Sequence, residues 1–123
     1  MQKISVIVPT MWRANHLFSK MIPFILDSPF VCELIIIDND SKLRPNNIDL
    51  SSEKIKILDF GENIFFNKSM NVGVENSKGD IVCLLNDGIY NEPFNQLFWN
   101  ICPKTPLHAP NIILNLVLHS AKY

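Results

Sequence analysis

Ile81-Val82-Cys83-Leu84-Leu85-Asn86-Asp87-Gly88 decides how this chain folds. Its five leading apolar residues are too few for a lone helix, and turn formers bound them, Lys78-Gly79-Asp80 before and Asn86-Asp87-Gly88 after. The run therefore reads as a strand buried on both faces, the kind that parallel sheets contain. A polar turn at the carboxyl end of such a strand stands where open α/β sheets bind ligands. Asn86 and Asp87 are candidate ligand contacts on that ground, although Asn, Asp and Gly also suit a plain turn.

Working back towards the start, the same pattern recurs. Ile4-Ser5-Val6-Ile7-Val8 is rich in β-branched residues and opens at Pro9-Thr10 into a loop that reaches Arg13. Glu33-Leu34-Ile35-Ile36-Ile37 forms a second buried strand ending in Asp38-Asn39-Asp40-Ser41. Lys54-Ile55-Lys56-Ile57-Leu58-Asp59 alternates charged with apolar side chains and suits a strand nearer a sheet edge. Between the first two strands, Leu17, Phe18, Met21, Ile22, Ile25 and Leu26 recur at helical spacing, with Pro23 predicting a kink or an end near Ile22. Lys42 to Ser52 reads as a loop with at most a short helical turn. A second helix, capped at Asn67, carries Phe66, Met70, Gly73 and Val74 on one face and stops at Ser77-Lys78-Gly79.

Four strands with helical or loop crossovers predict an α/β fold, a three-layer α/β/α arrangement on a mainly parallel sheet. The ends of the first, second and fourth strands then share one rim, which brings Pro9 to Arg13, Asp38 to Ser41 and Asn86-Asp87 together as a ligand site.

At 123 residues and 47% hydrophobic content the chain reads as a single domain, 1–123, with an ordinary globular core. Eleven basic and twelve acidic residues leave a net charge of -1, so no overall field draws nucleic acid or anionic membrane. Cys32, Cys83 and Cys102 form no C-x-x-C pair and suit reduced thiols in the cytoplasm. The N-terminus lacks a signal-peptide layout, and no apolar run reaches the roughly 20 residues of a transmembrane segment. His16, His108 and His119, like Trp12 and Trp99, read as ordinary surface or packing residues.

No G-x-G-x-x-G or G-K-[ST] loop follows the first strand, so the phosphate cradles of dinucleotide, P-loop and flavodoxin-like sites are missing. Carboxylates and amides at strand ends can instead bond a base and a ribose, while a divalent cation bridges diphosphate oxygens to a carboxylate. Such chemistry suits a nucleotide sugar.

Four separate stretches carry a resemblance. Ile4-Ser5-Val6-Ile7-Val8-Pro9-Thr10, Ile35-Ile36-Ile37-Asp38-Asn39-Asp40-Ser41, Glu62-Asn63 through Asn71-Val72-Gly73, and Ser77-Lys78-Gly79-Asp80 running into Leu84-Leu85-Asn86-Asp87 resemble, in order and spacing, the N-terminal half of a family 2 glycosyltransferase of the GT-A fold. The resemblance covers about residues 3–90, with Ala109 to Leu114 similar to the family's next strand. The Asp38-Asn39 form looks like members that build bacterial surface polysaccharides. The resemblance implies a nucleotide diphosphate sugar as ligand, a saccharide or lipid-linked acceptor, and a cytoplasmic site or one peripheral to the membrane. It also implies that Pro9 and Thr10 border the nucleotide with Arg13 at the diphosphate, and that Asp38 and Asn39 meet base and ribose. Asn63 and Asn71 lie beside the nucleotide, Lys68 reaches the pyrophosphate, and Asn86-Asp87-Gly88 aligns with the D-x-D motif, Asp87 being the ligand left for manganese or magnesium.

The departures are as informative as the matches. Gly88 stands in the place of the usual metal-binding aspartate, many relatives carry an aspartate where this chain has Asn39, and Phe65 replaces a glycine common in the family. The acceptor half, with its general base, is expected to follow residue 90, where 91–123 forms a shortened segment holding a short helix at Phe94, Leu97, Phe98 and Ile101 and an apolar strand or helix at Ile112 to Leu118. A shortened sheet leaves an edge or face uncovered and predicts self-association into a homo-oligomer. Two functions stay open: sugar transfer to an acceptor hydroxyl, and a catalytically inactive nucleotide-binding remnant or interaction module.

Overall fold

The computed structural model describes residues 3–88 and the strand at 112–115. The order along the chain is β1 (Ile4–Thr10), α1 (Asn15–Asp27), β2 (Val31–Asp38), a 3-10 turn at Ser41–Leu43, β3 (Ile55–Asp59), α2 (Phe65–Glu75), β4 (Ile81–Leu84) and β5 (Ile112–Asn115). Every strand pairing among the described residues is parallel, and the sheet runs β3-β2-β1-β4-β5. The chain thus has the α/β class that its strand pattern predicts, with β3 at an edge. The expected helix at Phe94 to Ile101, together with Trp99, His108 and His119, lies outside the described residues; within the expected element at Ile112 to Leu118, β5 is a strand.

Strand alternation sorts the core into two sets. Ile4, Val6 and Val8 of β1, Leu34 and Ile36 of β2 and Ile81 and Cys83 of β4 pack with Phe18, Met21, Ile22 and Ile25 of α1. Ile7, Ile35, Ile37 and Val82 face the other way and pack with Ile64 and Met70 at α2. Side chains two apart share a face, so a strand apolar at every position needs a cover on both sides. The helices supply it, one per face.

Two local expectations need correction. α1 runs on through Pro23 to Asp27, so that of the kink or end expected near Ile22 the end is overturned. Pro23 is exposed, so its missing N–H and ring lie on the solvent side, while Phe18, Met21, Ile22 and Ile25 are buried along the other. Burying four such side chains at about 1.5–3 kcal/mol each exceeds the roughly 3 kcal/mol a helical proline costs. α2 begins at Phe65, so Asn67 falls inside its first turn and caps nothing.

Polar side chains fix the ends of the layers. The Ser5 hydroxyl donates to Glu33 Oε1 at 2.6 Å and accepts the Gly79 N–H at 2.8 Å, while Lys78 N–H donates to the same carboxylate oxygen at 2.7 Å. That node holds the turn before β4 against β1, so closely that a Cβ on Gly79 would stand 2.6 Å from Ser5 N. Just before β3 Lys54 Nζ donates to Leu26 O, and on β3 Lys56 Nζ donates to Asn76 O, which satisfies carbonyls at the carboxyl ends of both helices. No helix among the described residues is long and apolar enough to cross a membrane.

Candidate functional site

The chain leaves β1 towards β2 on one side and later returns to place β4 on the other, so the sheet order reverses at β1. Crevices at the carboxyl ends of strands open at such a reversal. There the Thr10 hydroxyl donates to Asp87 Oδ2 at 2.6 Å, tying the end of β1 to the turn after β4.

The loop after β1 is held from within. Trp12 adopts a left-handed backbone, φ 61°, and is only 4% exposed. Its N–H donates to Thr10 Oγ1, its indole Nε1 donates to Asp38 Oδ1 at 2.9 Å, and its ring packs on Phe18. Trp12 is therefore a packing residue, as its sequence context suggests. Its neighbours Met11 and Arg13 line the crevice.

Asp38 and Asn39, adjacent at the end of β2, go to different fates. The Asp38 carboxylate is fully enclosed: Oδ1 accepts Trp12 Nε1–H and Asp40 N–H, and Oδ2 accepts Arg44 Nε at 2.6 Å. Arg44 also bonds Asp59 Oδ2 at 3.1 Å, strapping the loop after the 3-10 turn onto the sheet edge. Asn39 turns to α2. Its Oδ1 accepts Ile64 N–H at 3.1 Å, its Nδ2 donates to Ser69 Oγ at 2.9 Å, and its own N–H donates to Thr10 O. No side chain of α2's own N-cap residue bonds its first turn, so Asn39, reaching across from β2, satisfies an amide that the helix start leaves open.

Asn63 closes the remaining side. Its Oδ1 accepts Phe65 N–H at 2.8 Å in an Asx turn, and its Nδ2 lies 3.7 Å from Met11 Sδ. Phe65 has φ 65°, the left-handed region that glycine tolerates and other residues rarely enter.

Together these segments border a pocket of about 320 Å³ lined by the end of β1, residues of four loops and the start of α2. Of the sequence-predicted residues it brings together Pro9, Thr10, Arg13, Asn39, Asn63, Asn86 and Asp87. It does not take in Asp38, whose oxygens are occupied, nor Lys68 and Asn71, which are exposed on α2 outside the lining. A second hollow of about 270 Å³ adjoins it, sharing Met11, Asn39 and Asn63 and extending to Asp40, Ser41, Lys42 and Glu62.

Phe65, which the resemblance sets at the approach to the nucleotide, lines the first pocket, and so does Phe66, which the sequence reading did not place at the site. Phe66, expected on the apolar face of α2, is half exposed instead. For Phe66 the available signal was positional: it sits in the first turn of a helix that follows a strand-end turn. Arg44, in a loop beside a proline, gave no signal at all.

Asp87 is the one carboxylate among the described residues that line the pocket. Partial burial pushes its carboxyl above the ordinary carboxylate range, and the Thr10 hydroxyl and a backbone N–H pull it partly back. Among the described residues no three His, Cys, Asp or Glu side chains gather as a metal site. A single carboxylate beside the Asn86 amide suits a cation that arrives with a diphosphate and takes its other ligands from phosphate oxygens and water.

No protein-family model matches this chain, and no curated protein matches it either.

Proposed function

We propose that the crevice between β1 and β4 binds a nucleoside diphosphate sugar, in a glycosyltransferase-like domain of GT-A type that passes the sugar to an acceptor hydroxyl. The observation that carries this reading is the pocket's composition: Thr10, Asn39, Asn63, Asn86, Asp87 and Arg13 line one hollow at a sheet reversal. Amides and hydroxyls there offer donors and acceptors to a ribose and a base, and the Arg13 guanidinium offers positive charge to a diphosphate. The resemblance of four stretches to family 2 glycosyltransferases supports the same ligand. A divalent cation bound with the diphosphate would stabilise the charge on the leaving group. In this reading Asp87 orients that end of the ligand, Thr10 fixes the Asp87 carboxylate, and polysaccharide synthesis is the setting.

Gly88 favours a second reading, a module that binds the nucleotide without transferring sugar, since glycine has no side chain for the metal place that the resemblance assigns. Titration calorimetry with uridine and thymidine diphosphates, with and without manganese, separates the two. Binding that needs manganese and disappears in Asp87→Ala supports transfer. Metal-independent binding supports the module, and no binding of any nucleoside diphosphate refutes both.

A further inference from the structure

Among the described residues two other than glycine hold a left-handed backbone, Phe65 in the pocket lining and Trp12 between the lining residues Met11 and Arg13. For Trp12 the return within the fold is plain: its ring is buried against Phe18 and its indole bonds Asp38. Phe65 has no such return. Phe65 is 72% exposed, the most exposed of the large apolar residues among those described. The Asx turn from Asn63 holds its backbone in place, and any glycine would accept that turn without strain. A strained backbone carrying an exposed aromatic ring at the mouth of a pocket has the pattern of a residue kept for binding rather than for folding.

The chemistry of the lining narrows the occupant. The lining combines polar side chains, Thr10, Arg13, Asn86 and Asp87 among them, with the apolar Met11, Phe65 and Phe66, and Met11 and Phe65 are tied together through Asn63. An elongated ligand with a charged end and a flat, weakly polar end matches that combination. In a nucleoside diphosphate the flat end is the base, whose face stacks on aromatic rings. We infer that Phe65, with Phe66 beside it, is a stacking platform for the nucleobase, so that this one position sets how strongly the chain prefers a nucleotide to a bare diphosphate. The inference rests on the nucleotide reading above and adds a specificity residue to it.

Calorimetry on the full chain tests it with two probes, uridine diphosphate and inorganic pyrophosphate, which has no ring. Phe65→Gly should weaken the nucleotide roughly tenfold, within the range seen when a stacked base loses its aromatic partner, and leave pyrophosphate unchanged. The same variant should melt about 3 °C higher, because the strain is relieved and little buried surface is lost. Phe65→Ala should weaken the nucleotide equally without the gain in melting temperature, and Phe65→Tyr should keep both properties. Equal loss of the two probes, no loss of either, or a lower melting temperature in Phe65→Gly overturns the inference, the last because it would mean that the ring packs against this chain or a second copy. If the unaltered chain binds pyrophosphate but none of the uridine, thymidine, guanosine or adenosine diphosphates, the nucleotide reading falls and this one with it; failure confined to the variants removes only the platform.

Discussion

Asn39→Ala tests whether the pocket is held together from the end of β2. The substitution removes the acceptor for Ile64 N–H and the donor to Ser69 Oγ, both in a residue only 7% exposed. The Asn39 N–H bond to Thr10 O belongs to the backbone and survives. An orphaned buried N–H costs about 1–3 kcal/mol and the lost amide bond about 1 kcal/mol more, which gives a loss of about 2–4 kcal/mol. With a urea slope near 2 kcal/mol/M the unfolding midpoint falls by about 1–2 M. Asn39→Asp keeps an acceptor for Ile64 N–H and puts negative charge at a helix start, where it is favoured by about 0.3–1 kcal/mol, against the lost donor to Ser69. It should stay within about 1 kcal/mol of the unaltered chain. Urea unfolding followed by circular dichroism gives the ordering, and amide exchange at Ile64 gives the location. If Asn39→Ala unfolds within about 0.5 kcal/mol of the unaltered chain, the ordinary range for neutral substitutions, the helix does not depend on this cap.

Asp87→Asn should raise stability at neutral pH and not in acid. The folded carboxyl has a raised pKa, so the native chain holds more protons than the unfolded one between the ordinary carboxylate value and the raised value, and stability falls as pH rises through that window. Thermal melts from about pH 3 to 7 should show the gain growing across it; an equal gain at every pH would mean that burial of this carboxylate is not the cause. Gly73→Ala should destabilise by about 1–3 kcal/mol, because its Cβ would meet Ile7 Cγ2 at 2.5 Å where α2 crosses β1. In the Ile7→Ala background the cost should shrink or reverse, and strict additivity in chemical denaturation would refute the contact. Gly88→Asp should fold normally, since a Cβ there meets nothing closer than Asn86 Oδ1 at 3.6 Å. It should tighten manganese binding in the presence of uridine diphosphate; calorimetry showing no metal effect would detach position 88 from the diphosphate.

The strand pattern and its polar rim were legible in the sequence because they are local facts. Apolar runs such as Ile35-Ile36-Ile37 and Ile81 to Leu85 can be buried only between two layers, and polar turns directly after them have to lie at strand ends. The alternating charge of Lys54 to Asp59 placed β3 at an edge by the same logic. The fate of individual side chains on that rim is not local. Asp38 and Asn39 are neighbours in sequence and look like a pair, yet strand alternation sends Asp38 to the face of Leu34 and Ile36, where Trp12 and Arg44 close over it. Asn39 goes to the face of Ile35 and Ile37, where α2 begins.

The start of α2 was likewise fixed from outside its own segment. Asn39 and the Asx turn of Asn63 set it at Phe65, which leaves Phe65 and Phe66 at the pocket and puts Lys68 and Asn71 away from it. Pro23 shows the opposite balance, a strong local signal overridden because four buried side chains of one helix outweigh one missing bond. By itself the sequence determined that parallel strands end in a polar rim, since hydrophobic period and turn chemistry act over a few residues. Which of those polar groups line the pocket and which are enclosed among other side chains depends on contacts between segments tens of residues apart, such as Thr10 with Asp87 and Trp12 with Asp38, and only the tertiary structure decided that.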